Sequence, residues 1–206
     1  MGKTITLSPQ ELYFLGTVLD ARYIDYDYIS HMPDIQKRYS VHEQETMSQL
    51  ADRGYVDEDF SGNVTVDDEI RELLEPVFFG EIEARLMAGE PGDKDLDRCN
   101  FHFLEGRITK VTGEDALTFA EFGDDELRKT VEECFSGYGK VLEGTFDENK
   151  IERVVSTICA KANVGSYSKS WLCMNGTIWQ AAENGEPELT DFDRAVRQAC
   201  EFARGK

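Results

Sequence analysis

The sequence predicts an α+β protein in which a winged-helix-like unit is followed by an antiparallel sheet with packed helices. Three observations carry this reading. Ser8-Pro9-Gln10-Glu11 is a capping box with Pro at the first helical position, and it opens a run with Leu12, Leu15 and Leu19 on one face. The order helix, connector, helix, short strand pair, helix fills residues 1–76. Beyond residue 76, runs with strand-like alternation are separated by Gly-containing turns, and helices come only intermittently. With 206 residues, 40% of them hydrophobic, and 5 Pro, the chain has enough apolar material for one large domain or two small ones. The reading divides it at 1–76 and 77–206, with the two regions packing as one body as an option.

The capping box predicts a helix over 9–20. In Asp20 to Tyr39, Tyr23, Tyr26 and Tyr28 interleave with Asp25 and Asp27 before Pro33, which suggests a turn and a short helix. Val41, Met47, Leu50 and Ala51 restore helical spacing up to Gly54, a residue suited to a left-handed cap. Tyr55-Val56 and Val64-Thr65-Val66 read as two strands around an acidic loop. A helix opening at Asp67-Asp68 carries Ile70, Leu73 and Leu74 and is expected to end near Pro76. Strands are predicted at 77–86, 100–109 and 115–122, with a polar loop at 88–98 and a turn at Gly113-Glu114. A helix from Asp124 displays Leu127, Val131 and Phe135. Residues 149–162 suit a helix by apolar spacing, while the β-branching of Val154, Val155 and Ile158 keeps a strand open. A strand over 169–181, a turn at Gly185-Glu186-Pro187 and a helix over 191–203 complete the chain. Phe103-Leu104-Glu105-Gly106-Arg107-Ile108 is echoed by Cys173-Met174-Asn175-Gly176-Thr177-Ile178, a hint of quasi-twofold halves.

Charge excludes more than it assigns. The 41 acidic against 22 basic side chains give a formal charge of −19, which repels phosphate backbones and anionic membrane surfaces and attracts basic partners. No nucleic-acid partner is expected. The helix that would enter a DNA groove carries Glu43, Glu45 and Asp52, and the wing-like loop carries Asp57, Glu58 and Asp59. The opening residues lack the apolar stretch of a signal peptide, no run reaches membrane-spanning length, and the five Cys form no CxxC pair. A cytoplasmic protein without membrane insertion is expected.

Catalytic chemistry finds no purchase. His31, His42 and His102 fall into no metal-ligating spacing, and His102, between Phe101 and Phe103, reads as a surface or sheet-edge residue. Asp93, Asp95 and Asp97 start like a calcium loop, but Arg98 stands where the turn needs Gly and Leu104 where it needs a bidentate Glu. No GxSxG elbow is present, and Gly137-Tyr138-Gly139 lacks the rest of a phosphate loop. The expectation is a protein with no enzymatic activity, no cofactor and no metal.

Binding is better supported. Tyr23, Tyr26 and Tyr28 set broad rings beside aspartates, a composition that suits a protein interface and equally a core connector. Glu81 and Glu83 read as alternating along one side of a strand, and Phe101 and Phe103 along another, so these seven residues are the protein-binding candidates. Trp171 and Trp179 fit a recognition surface or a second core.

The opening Leu7-Ser8-Pro9-Gln10-Glu11-Leu12, followed by Leu50-Ala51-Asp52-Arg53-Gly54-Tyr55, resembles the EspG-like chaperones of type VII secretion systems, and most of all their shorter relatives in low-GC Gram-positive bacteria. The resemblance implies a noncatalytic cytoplasmic adaptor that binds a helical secreted client, on a fold of quasi-twofold halves. In that role strand 78–86, loop 88–98 and strand 101–109 would clamp a helical hairpin of the client. An immunity-like protein that blocks a basic toxin, and a winged-helix transcriptional regulator, are the alternatives.

Overall fold

The computed structural model describes residues 2–30, 32, 39–93, 96–182 and 185–206, with the side chains of 39–42 excepted. His31, Asp95 and the side chain of His42 therefore lie outside the described residues. The chain divides into two compact units: Met1–Gly80 with Leu104–Glu121, and Glu81–Phe103 with Phe122–Lys206.

The first unit begins with strand β1 (Thr4–Leu7) and helix α1 (Pro9–Val18). The capping box forms as its residues dictate: the Glu11 amide donates to Ser8 Oγ at 3.3 Å and the Ser8 amide to Glu11 Oε2 at 2.8 Å. A one-turn helix α2 (Tyr26–Ile29) precedes α3 (Tyr39–Asp52). After α3, Gly54 adopts φ +70°, and the amides of Gly54 and Tyr55 return to the carbonyls of Ala51 and Leu50, each at 2.9 Å. This is the paired bonding that lets a left-handed residue close a helix. Strands β2 (Val56–Glu58) and β3 (Val64–Val66) form an antiparallel hairpin, and α4 (Asp68–Phe79) follows under an Asp67 cap. Strands β6 (Arg107–Thr112) and β7 (Leu117–Phe122) complete the unit in the order β1-β7-β6. One core joins Leu7 and Leu117 to Leu12, Leu15, Leu50, Ile70, Leu74 and Phe78.

Helix α4 runs past Pro76, where the sequence suggests a stop, and replaces the first residues of the strand expected over 77–86. Proline removes the amide that would bond the carbonyl of Glu72. A residue from β6 takes its place: Arg107 Nη1 donates to Glu72 O at 3.3 Å while Nη2 pairs with Glu75 at 2.8 Å. At the next residue, the buried hydroxyl of Thr109 donates to Leu73 O at 2.7 Å. The helix thus continues on donors from a strand 30 residues away in sequence.

The second unit holds β4 (Ile82–Gly89), β5 (Asp97–Leu104), β8 (Arg153–Lys161), β9 (Gly165–Met174), β10 (Thr177–Gln180) and β11 (Glu188–Thr190), ordered β5-β4-β8-β9-β10-β11 and antiparallel throughout. Helices α5 (Asp124–Cys134) and α6 (Phe192–Ala203) pack against each other, and α6 packs on β4, β8 and β9. Alternate residues are buried, Ala84, Leu86 and Ala88 on β4 and Val155, Thr157 and Cys159 on β8, and they pair across the strands as Ala84↔Cys159, Leu86↔Thr157 and Ala88↔Val155. Val196, Ala199 and Cys200 of α6, Leu127 and Val131 of α5, and Trp171, with Phe135 edge-on at 5.7 Å, are also buried in this unit.

One open alternative is decided and two sequence expectations change here. Residues 149–162 form strand β8 after a single 3₁₀ turn, the β-branched side chains of Val154, Val155, Thr157 and Ile158 fitting the pleat. The strand expected over 100–109 is two strands joined by Glu105-Gly106, both at positive φ (+50° and +84°). That expected over 169–181 is likewise β9 and β10 around Asn175-Gly176 (+48° and +75°). Two consecutive left-handed residues make the two-residue turn that matches strand twist.

Thr109→Val is expected to cost about 1 kcal/mol by removing the buried hydroxyl's bond to Leu73 O, and Arg107→Ala about as much, both read from urea denaturation midpoints. Arg53→Met is expected to cost about 2 kcal/mol, because it strands the buried Glu11 carboxylate.

Candidate protein-binding surface

The seven candidate residues separate into surface and core. In the first unit Tyr23 is half-buried and its hydroxyl donates to Gly80 O at 3.0 Å. Tyr26 opens α2 and is 74% exposed, while Tyr28, two residues on, is buried in the core with Leu15 and Leu50. The alternation of one short helical turn therefore splits the tyrosine cluster, and Tyr28 is core instead of interface.

In the second unit Glu81 lies before β4 and is exposed, and its carbonyl accepts from the Ala162 amide at 2.9 Å. Glu83 is buried and forms an ion pair with Arg85 at 2.9 Å. The two glutamates do not form a shared exposed row, because the strand starts later than the sequence suggests. Phe101 is fully buried with its ring 5.9 Å from that of Phe122, and Phe103 is partly exposed. His102, expected at the surface, is fully buried opposite Glu83 in the β4–β5 register. Strand pairing brings Glu83, His102, Phe101 and Phe103 together, with Phe101 and Phe103 facing away from Glu83. The two tryptophans also belong to the interior.

The exposed large apolar side chains fall elsewhere. Phe60 stands fully exposed at the tip of the β2–β3 hairpin of the first unit. Its turn is held from within: Asp59 accepts from the amides of Ser61 and Asn63 and from the Asn63 side chain, and these bonds hold the Asp59 carboxyl below the usual carboxylate range. The second unit exposes Val141 and Leu142 after α5, and Val164 and Tyr167 around the β8–β9 turn. A sequence signal for these exists only in part: Phe60, Val141, Leu142 and Val164 lie in loops or turns with no strand or helix face to join, whereas Tyr167 lies on β9 between two serines.

The second unit also carries an open concavity of about 550 Å³ between the end of α5 and the start of α6, bordered by Lys129, Glu132, Glu133, Tyr138, Lys140 and Phe192. It carries charges of both signs, and Ser136 also lines it. Burial pushes up the thiols of Cys159 and Cys200, and that of Cys173 to about 12, which suits core packing and opposes nucleophilic use. Among the described residues no group of three or more His, Cys, Asp or Glu is placed to hold a metal, and no helix is long and apolar enough to cross a membrane.

No protein-family model matches the chain, and no curated protein matches it. Among solved structures it is similar to the type VII secretion system chaperone EspG5 of Mycobacterium tuberculosis, determined in complex with the PE25–PPE41 dimer. The TM-score is 0.61 at 8% identity, over 98% of this chain and 96% of that chain. The likeness is one of fold: mixed α+β, with N-terminal helices and antiparallel sheet carrying packed helices.

Tyr26→Ser is expected to leave stability within about 0.5 kcal/mol, and Phe101→Ala to cost about 3–5 kcal/mol, measured by chemical denaturation. The raised Cys173 thiol stays protonated in the folded chain while the unfolded chain loses its proton from about pH 9 upward, so stability falls as pH rises from 9 towards 12. Cys173→Ala should flatten that slope in denaturation midpoints measured across the same range.

Proposed function

We propose that this chain is a noncatalytic cytoplasmic chaperone or adaptor that binds a helical protein client for type VII secretion, an EspG-like protein of the shorter kind from low-GC Gram-positive bacteria. The observation that carries the reading is the match of fold along nearly the whole of both chains, 98% and 96%, to a chaperone of that system. A local motif such as a lone hairpin-and-helix would recur in many unrelated proteins. Near-complete coverage of an order that has, among the described residues, eleven strands and six α-helices is a more demanding coincidence.

The internal architecture supports the same reading. In chain order, β4, β5, a two-residue left-handed turn, β6, β7 and α5 are followed by β8, β9, a second such turn, β10, β11 and α6. We take these as the quasi-twofold halves implied by the echo of Glu105-Gly106 and Asn175-Gly176. The order α1, α3, β2, β3, α4 is taken as winged-helix-like. Its hairpin bears Asp57, Glu58 and Asp59, which argues against a regulator that grips DNA by its wing.

A client would meet Tyr26, Glu81 and the exposed parts of Tyr23 and Phe103 directly, whereas Tyr28, Glu83 and Phe101 would hold those elements in place. Apolar anchors such as Phe60 supply area, and the net charge of −19 selects basic clients and discourages indiscriminate contact.

The test is affinity capture of the tagged chain from its native cells, washed at low and at physiological salt. The expected result is a stoichiometric, mainly helical secreted protein that survives the physiological wash. Recovery of a basic toxic enzyme whose activity is lost in the complex would favour the immunity-like alternative. Recovery of no protein partner would contradict the adaptor reading.

A further inference from the structure

We infer that the outer edge of β9 from Gly165 to Lys169 is a docking site for an extended, acidic segment of a partner protein, bound by strand addition. Strand β9 pairs with β8 along its whole length, from Arg153↔Cys173 to Lys161↔Gly165. On its other side β10 covers only Trp171 to Met174, and the last bond across that edge runs from the Ala181 amide to the Ser170 carbonyl at 2.9 Å. Backbone groups of alternate strand residues point to the same edge. The amides and carbonyls of Ser168 and Ser166 therefore point the same way as those of Ser170, and among the described residues no strand pairs with them. Residues 165–168 are all exposed.

Such an edge is a template for another strand unless it is blunted. Strands β1 and β11, which end the strand order, are blunted. On β1 the Thr6 carbonyl is taken by Arg53 Nη1 at 3.0 Å, and β11 is only three residues long. The β9 edge has neither device, nor a proline.

Charge names the occupant. Residues 153–182 contain Arg153, Lys161 and Lys169 and not one of the chain's 41 acidic side chains. Arg153 lies at the far end of the hairpin and meets Asp97, so the charges beside the open edge are Lys161, which donates to Gly205 O, and Lys169, which lies over the Trp171 ring; both are cationic on a protein of charge −19. Tyr167 and Lys169 are two residues apart and share a face, and Tyr167 is 52% exposed, with Val164 62% exposed in the adjoining turn. An incoming strand gains most from an apolar residue opposite Tyr167 and an acidic one opposite Lys169, with small polar residues facing the serines. That the segment belongs to a secretion client rests on the adaptor reading; the edge and its charge do not.

The probe is a capped synthetic strand of about eight residues alternating Thr with Glu and Val, titrated into the full chain while the amide resonances are followed. Binding should move and protect the amides of Ser166 and Ser168. Ser168→Pro removes an edge-facing amide without touching the β8 ladder and should weaken binding about tenfold or more, whereas Ser168→Ala should bind like the unmodified chain. Should Ser168→Pro fail to fold, two N-methylated peptides replace it: methylation along one edge of the peptide should abolish binding, and along the other leave it intact. Exchange of Glu for Lys in the peptide should weaken binding, most at low salt.

The proposal is overturned if the peptide does not bind, if it binds without moving Ser166 and Ser168, if both methylated forms bind alike, or if the edge pairs two copies of this chain, seen as self-association that Ser168→Pro removes. A helical client captured equally by the unmodified chain and Ser168→Pro would leave the adaptor standing and remove this site. Peptide binding without any captured client would do the reverse.

Discussion

The ion pair between Glu11 and Arg53 is the contact on which the first unit depends. Glu11 is only 7% exposed, and its two oxygens are divided between the Ser8 amide, which starts α1, and Arg53, which ends α3. Arg53 also donates to Thr6 on β1 and stacks over the Tyr55 ring at 4.7 Å. One guanidinium therefore joins a strand edge, two helices and the entry to the β2–β3 hairpin. A buried carboxylate with a good partner is tolerated, and without one it is costly. Long antiparallel registers between β4, β8 and β9 define the second unit, with a face of small residues, Ala84, Ala88, Ala195 and Ala199, that allows close helix packing.

This division of labour bears on function. Several buried polar groups hold the fold: Thr109 on a helix carbonyl, Thr177 between Met174 O and the Trp179 indole, Glu83 on Arg85. What the surface offers is exposed apolar side chains on rigid turns, an acidic field, and one cationic strand edge. These are means of recognition.

Much of the first unit was legible in the residues. The capping box, the Gly54 closure and the two short strands follow from local chemistry that needs no tertiary help. Pro76 misleads because its cost is met by Arg107 and Thr109, which are distant in sequence. Glu105-Gly106 hides a turn because Glu is not the usual left-handed residue, and in the second unit Asn175-Gly176 hides one because apolar residues continue on both sides. Segment 149–162 has apolar spacing that suits either period, and only sheet pairing decides it. The surface was the least legible: Tyr26 and Tyr28 differ by a fraction of a helical turn, and His102 and Glu83 are buried by partners that no local pattern names.

The central claim is that the chain works by holding a protein partner on its exposed turns and edges while its two cores stay unchanged. Amide hydrogen exchange on the complex purified from native cells, compared with the free chain, tests it most directly. The account predicts new protection at exposed segments, among them Gly165–Lys169 and the Tyr26 region, with the core amides of β4, β8 and α6 unaltered. Equal exchange in both samples, or protection confined to the interior, would contradict it.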